Sequence, residues 1–140
     1  PSLRLDKVIY AGQPMSVADR EFLTSQLHAS RVSSVIGAND GGQLAYQCAF
    51  LRGSMHHTVD DFNWIEITDD AGVPVKAGQA GRVLITSLLK YAYPLIRYDI
   101  GDKARFVDTE CACGTRFLGC RKPAGGILRL LADSWMATDH

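Results

Sequence analysis

The strongest constraint on this chain's fold is the run from Gly81 to Asp102. It reads Gly-Arg-Val-Leu-Ile-Thr-Ser-Leu-Leu-Lys-Tyr-Ala-Tyr-Pro-Leu-Ile-Arg-Tyr-Asp-Ile-Gly-Asp. Gly81 to Leu88 is apolar and rich in strand formers, which predicts a buried strand. Pro94 biases Tyr93 away from helix, so Tyr93 to Tyr98 is expected to be extended. Lys103 to Val107 then reads as another strand. Asp102 follows Gly101, where a carboxylate can either cap the turn or accept hydrogen bonds from a vicinal diol such as a ribose. Spacing alone favours the cap.

The chain before this run has two textures. Lys7 to Ala11 is a short apolar strand ending at Gly12. Ser16 suits a helix N-cap, with Asp19 at the capping-box position and an apolar face through Val17, Phe22, Leu23 and Leu27. Arg31 to Ile36 is a second strand that stops at Gly37. After Gly41-Gly42 the pattern turns to β, with strands expected over Leu44 to Phe50 and Asn63 to Thr68. Asp69 to Gly72 has turn chemistry. The expected fold is α+β: a short strand-helix-strand unit followed by a small antiparallel sheet or distorted barrel. The expected divisions are 1–42 for the αβ segment, 43–126 for the β-rich part and 127–140 for a tail.

Composition narrows the function classes. The chain has 140 residues, enough for one domain with a real core. A formal net charge of zero removes the global electrostatic case for nucleic acid. The basic bias from Lys103 to Arg129 reads as a solvated face. No apolar run reaches transmembrane length and no signal-peptide pattern opens the chain, so no membrane partner and a cytoplasmic location are expected. The start, Pro1-Ser2-Leu3-Arg4, lacks an initiator methionine and is expected of an excised or processed piece. Oligomerisation through exposed edges is left open.

Four cysteines, Cys48, Cys111, Cys113 and Cys120, accompany the pair His56-His57. Without a secretory signal a disulfide framework is disfavoured. Cys111-Ala-Cys113-Gly114 has the shape of a metal knuckle, and Cys48, His57, Cys111 and Cys113 would close a tetrahedral zinc site. Such a site is structural, because no position remains for water or substrate. Cys120 is a rival ligand, and spacing alone leaves zinc and reduced cysteines both open.

The run to Asp102 resembles the "G-x-x-x-x-T-x-L…P-L-I-R-Y-x-T-G-D" signature of adenylate-forming enzymes, in the form used by the phenylacetate–CoA ligase family. Ile100 stands where the signature has threonine. The resemblance implies that Asp102 holds the ribose hydroxyls of ATP and of an acyl-adenylate. It gives Arg97 a part in ordering the strand and approaching the nucleotide, with a structural ion pair as the other reading. Val35 to Gly42 lies where the family carries "Y-G-x-T-E", whose aromatic stacks near adenine and whose glutamate helps hold magnesium. Gly37, Asn39 and Asp40 keep the glycine and polar positions, whereas Ile36 lacks the ring. Val8 to Ser16 resembles "G-G-E-x-L-S", which in relatives passes under the adenine and borders the acyl pocket; Ala11 and Gln13 depart from it.

A subset of the same family carries "C…G-x-H", then "V-E-I", then "C-x-C-G". Cys48, Gly53-Ser-Met-His56-His57, Trp64-Ile-Glu66-Ile and Cys111-Ala-Cys113-Gly114 follow that order. This resemblance implies structural zinc, and the distance to Glu66 selects His57. Phe117 to Leu130 falls where the family has its "L-G-R-x-x-D" hinge, which assigns Arg121 a hinge role, although Cys120 and Pro123 depart from the pattern.

Taken together, the resemblance implies part of an ATP-dependent acid–thiol ligase, matching the end of its large domain. Such an enzyme forms an acyl-adenylate from a carboxylic acid, using ATP with Mg2+, and passes the acyl group to CoA or a carrier-protein thiol. The chain has no Gly/Ser/Thr-rich phosphate loop with lysine, so the isolated polypeptide is expected not to catalyse adenylation. The alternative is a non-catalytic zinc-stabilised β module for binding or assembly, favoured by Ile36, Asn39 and Asp40.

Overall fold

The computed structural model describes residues 4–13, 15–114 and 127–131. The described elements are β1 (Lys7–Tyr10), α1 (Val17–Ser25), β2 (Arg31–Ala38), β3 (Gly42–Tyr46), β4 (Met55–Thr58), β5 (Asn63–Thr68), β6 (Gly81–Ser87), β7 (Tyr98–Val107) and β8 (Ile127–Leu130). They form one mixed sheet in the order β1-β2-β3-β4-β8-β7-β6-β5. This is the expected α+β arrangement, with one short helix among the described residues.

Local chemistry sets these elements. Ser16 caps α1, its hydroxyl oxygen accepting from the Asp19 N–H at 3.0 Å. The Asp19 side chain is too short to close a full capping box and instead accepts from the Ser16 hydroxyl at 2.6 Å. The predicted apolar face of α1 is only partly used, since Val17 and Phe22 are 75% and 56% exposed. The helix carries the chain from β1 to the parallel β2, and Arg20 anchors it by donating to the Val32 carbonyl at 3.0 Å. Every other strand pair is antiparallel. No described helix is long and apolar enough to cross a membrane.

The core joins residues from the two halves of the sheet. Ile36 and Leu44 from β2 and β3 share one buried cluster with Ile65, Ile67, Val83 and Ile85 from β5 and β6. Strands far apart in the sheet order can share a core only if the sheet rolls upon itself. Asn63, 1% exposed, ties the roll. Its amide donates from the start of β5 to the carbonyls of Gly41 and Gln43 at 3.1 and 3.2 Å. Full burial of each such Leu or Ile side chain contributes about 1.5–3 kcal/mol, so the cluster outweighs any single polar tie.

Candidate nucleotide and metal sites

The sequence signature has a local structural reason. Thr86 and Ser87 end β6 and hold the returning chain: the Arg97 N–H donates to Thr86 Oγ1 at 3.0 Å, and the Leu95 N–H to Ser87 Oγ at 2.9 Å. These bonds fold the Leu88-to-Pro94 connection back before β7 begins. On β7 the register jumps, with Lys103 opposite Arg82 but Asp99 opposite Leu84. The extra residues form a bulge around Gly101, which adopts φ +84°. A side chain would be strained there, so glycine permits the bulge, and the bulge re-aims Asp102.

Asp102 is half-buried, and burial followed by the charge of Asp99 raises its carboxyl above the ordinary value. Among the described residues no donor hydrogen-bonds its carboxylate. Arg97 is committed elsewhere: its Nε lies 3.2 Å from Glu66 Oε2 and its Nη2 donates to the Gly72 carbonyl at 2.6 Å. It does so with φ +48°, an unusual backbone for a non-glycine residue. The structural ion pair foreseen for Arg97 is therefore present.

A cavity of about 520 Å³ opens beside β2. Gly12, Gln13, Ile36 and Gly37 line it, with Leu130 and Leu131 contributing apolar wall. Asn39 and Asp40 instead border a shallow depression with Lys90, Tyr91 and Tyr93. Asp40 is held there from two directions. The Tyr98 hydroxyl donates to its Oδ2 at 2.9 Å, and the Lys90 ammonium donates to its carbonyl. Asp102 lines neither space.

The cavity also contains a polar cluster that sequence reading missed. Ser34 and His56, 5% and 4% exposed, are hydrogen-bonded through Oγ and Nε2. His56 Nδ1 lies 3.1 Å from the Ser54 carbonyl. Gln47 accepts from the Ser34 N–H at 3.0 Å and donates to the Gly53 carbonyl at 2.7 Å. Burial is the main cause that lowers the pKa of His56. No motif announces this cluster; only the pairing of β2, β3 and β4 assembles it.

The four predicted metal ligands do meet. Cys48, after β3, His57 on β4, and Cys111 and Cys113 in the turn after β7 place one ligand atom each within 4.8 Å of one another. The Cys48 and Cys111 sulfurs are 3.5 Å apart, and Cys113 Sγ is 3.3 Å from His57 Nε2. Zinc–sulfur bonds of tetrahedral geometry put sulfurs roughly 3.8 Å apart, so the donor set fits such an ion. The Phe50 N–H points at Cys48 Sγ from 3.4 Å, as donors do toward a metal-bound thiolate. Burial lowers the pKa of His57, which suits a neutral ligating ring. Successive strand residues face opposite ways, which sends His57 to the cysteines and His56 to the cavity. Cys120 and Arg121 lie outside the described residues.

Comparison with known proteins bears on this arrangement. No family model matches the chain. The phenylacetate–coenzyme A ligase of Thermus thermophilus is 27% identical over 114 residues, covering 80% of this chain and 25% of that enzyme. These likenesses support reading the chain as similar to part of the phenylacetate–CoA ligase-like branch of the adenylate-forming enzymes. Solved structures agree in fold: a 2-hydroxyisobutyryl-CoA ligase in complex with 2-HIB-AMP and CoA has a TM-score of 0.69 at 18% identity, over 90% of this chain and 28% of that one. An anthranilate CoA ligase in complex with anthranoyl-AMP has a TM-score of 0.57 at 16% identity, over 76% of this chain and 23% of that one. The chain thus spans about a quarter of the length of these ligases.

Proposed function

We propose that this chain forms the adenosine-side half of the ATP site of an acid–thiol ligase. The parent enzyme would adenylate a carboxylic acid with ATP and Mg2+ and transfer the acyl group to CoA or a carrier-protein thiol. One observation carries the reading: the two segments that the family resemblance places near adenine, Gly12-Gln13 and Ile36-Gly37, line one cavity. The cavity's apolar walls suit a flat base, and Ile36 supplies packing where relatives have a ring.

In this reading Asp102 accepts from the ribose hydroxyls, a role for which a half-buried carboxylate with no hydrogen-bond donor among the described residues is ready. Asn39 and Asp40 would face the phosphates, and Asp40 would help hold a magnesium ion. That ion neutralises phosphate charge when bound. Cys48, His57, Cys111 and Cys113 hold a structural zinc that pins the turn after β7 to β3 and β4. Among the described residues Cys48, Cys111 and Cys113 form no disulfide, which fits a reducing, cytoplasmic setting. The isolated chain binds adenosine nucleotides without catalysing adenylation, because it lacks the donors that stabilise the reacting phosphates. Calorimetric titration with AMP tests the reading: Asp102→Asn weakens binding about tenfold or more if the carboxylate holds the ribose. Equal affinity for both proteins would refute that assignment.

A further inference from the structure

Cys48 Sγ and Cys111 Sγ are 3.5 Å apart, in van der Waals contact, although 63 residues separate them in the chain. A disulfide places its sulfurs about 2.0 Å apart, so the pair has about 1.5 Å to close, within reach of small side-chain rotations. The Phe50 N–H donates to Cys48 Sγ at 3.4 Å and holds that sulfur against its neighbour. Cys113 is turned to a different partner, with His57 Nε2 at 3.3 Å. Bonding Cys111 to Cys113 instead would rework the turn that joins them, which the Gly114 N–H closes onto the Cys111 carbonyl at 3.1 Å. Cys48 and Cys111 are both only partly buried, so a small solute reaches them from water.

We propose that Cys48 and Cys111 are a peroxide-oxidisable pair, which joins as a disulfide and gives up the metal position that the same sulfurs would fill. In the metal-free chain, one sulfur attacks an oxygen of hydrogen peroxide. An S–O bond forms, the O–O bond breaks, and the departing hydroxide takes that thiol's proton to leave as water. The second sulfur displaces the hydroxyl from the first, forming the S–S bond, and the second thiol's proton leaves with that hydroxyl as another water. The two sulfurs lose two electrons and the peroxide gains them. From a zinc-bound pair, whose thiolates have already lost their protons, solvent supplies both protons and Zn2+ is released. Cys113 and His57 alone are too few ligands for a tetrahedral structural site, so metal and disulfide exclude each other. Either one ties the stretch after β3 to the turn after β7. The disulfide does so by closing a long loop, which constrains the unfolded chain. This pairing follows from the chain's own geometry and does not rest on the nucleotide reading.

The test is hydrogen peroxide treatment of the chain with and without zinc, read by non-reducing peptide mapping and by a chromogenic zinc chelator. The metal-free wild type should lose two thiols and gain one cross-link between the peptides of Cys48 and Cys111, reversed by dithiothreitol. Cys113→Ser and Cys120→Ser should keep that cross-link, whereas Cys48→Ser and Cys111→Ser should lose it. The zinc-loaded chain should oxidise roughly tenfold more slowly and release one zinc per disulfide. The oxidised metal-free chain should melt above its reduced form in circular dichroism. A Cys111–Cys113 bond, a scatter of pairings, or sulfinic acid without a cross-link would overturn the proposal. A chain that takes up no zinc yet forms the Cys48–Cys111 bond would remove the metal reading and uphold the oxidisable pair.

Discussion

The Tyr98 hydroxyl donates to Asp40 Oδ2 at 2.9 Å, joining the start of the Gly-Asp strand to the turn between β2 and β3. Two motifs that lie far apart in the chain are thereby coupled at a side-chain level. Lys90 grips the same turn through the Asp40 carbonyl, so the 88–97 connection acts as a strap over it.

That contact has a spectroscopic consequence. The Asp40 hydrogen bond, followed by the Asp40 charge, raises the Tyr98 phenol above its ordinary value of 10.0. Replacing Asp40 with Asn removes the negative partner and should bring the Tyr98 titration down. Ultraviolet absorbance titration of Asp40→Asn against wild type, with Tyr98→Phe identifying the transition, reads this directly. An unchanged curve would mean that the bond does not persist in solution.

The Cys/His cluster predicts metal content. Purified chain should carry about one zinc per polypeptide, and less than about half an equivalent counts against the four-ligand site. Cys113→Ser should release the metal, and chelation should lower the melting temperature of wild type but not of that variant. Elemental analysis and thermal melting check both arms.

Gly81, the first residue of the signature, is sterically required. A Cβ there would come 2.3 Å from the Thr68 carbonyl oxygen and 2.9 Å from its carbon, both backbone atoms of the paired β5. Gly81→Ala should cost about 1–3 kcal/mol in urea denaturation, because the strand itself has to move. Gly41→Ala should cost less, since its nearest obstacle is the tip of the Ile85 side chain at 2.5 Å.

Arg82 and Asp99 form a cross-strand ion pair whose pH dependence has a definite sign. Burial by itself would raise the Asp99 carboxyl, but the Arg82 hydrogen bond, the Gly101 N–H and the Arg82 charge together lower it below 3.8. A depressed folded-state pKa gives stability that is present above the unfolded value and lost as pH falls through the folded one. Asp99→Asn should therefore melt below wild type at neutral pH, with the gap closing as pH drops below 3.8. A gap that persists in strong acid would show that the residue acts through packing instead.

Periodicity read some of this molecule well and topology supplied the rest. Asn63 to Thr68 and the Asp69 turn were legible because alternating apolar residues and Asp/Gly chemistry act locally; the Gly72 N–H indeed donates to the Asp69 carbonyl at 3.0 Å. The strand expected from Leu44 to Phe50 runs from Gly42 to Tyr46, shifted to pair with β2. Met55 to Thr58 carries no alternating apolar signal and is a strand only because β3 and β8 flank it. Lys103 to Val107 was visible, but the strand begins at Tyr98, since the Gly101 bulge hides its first half from a period-2 pattern. The metal ligands were legible as a set of residue types, and their meeting depends on β3, β4 and the end of β7. Ser34, Gln47 and His56 were illegible, because a buried polar cluster has no spacing of its own.

The central claim is that the cavity beside β2 receives the adenosine of a nucleotide. The most direct measurement is a 15N-resolved NMR titration of the chain with AMP. Amide shifts should concentrate at Gly12, Gln13, Ile36, Gly37 and Leu130 around the cavity, and at Asp102 on the β7 bulge. Shifts absent at saturating AMP, or confined to residues away from the cavity, would contradict the account.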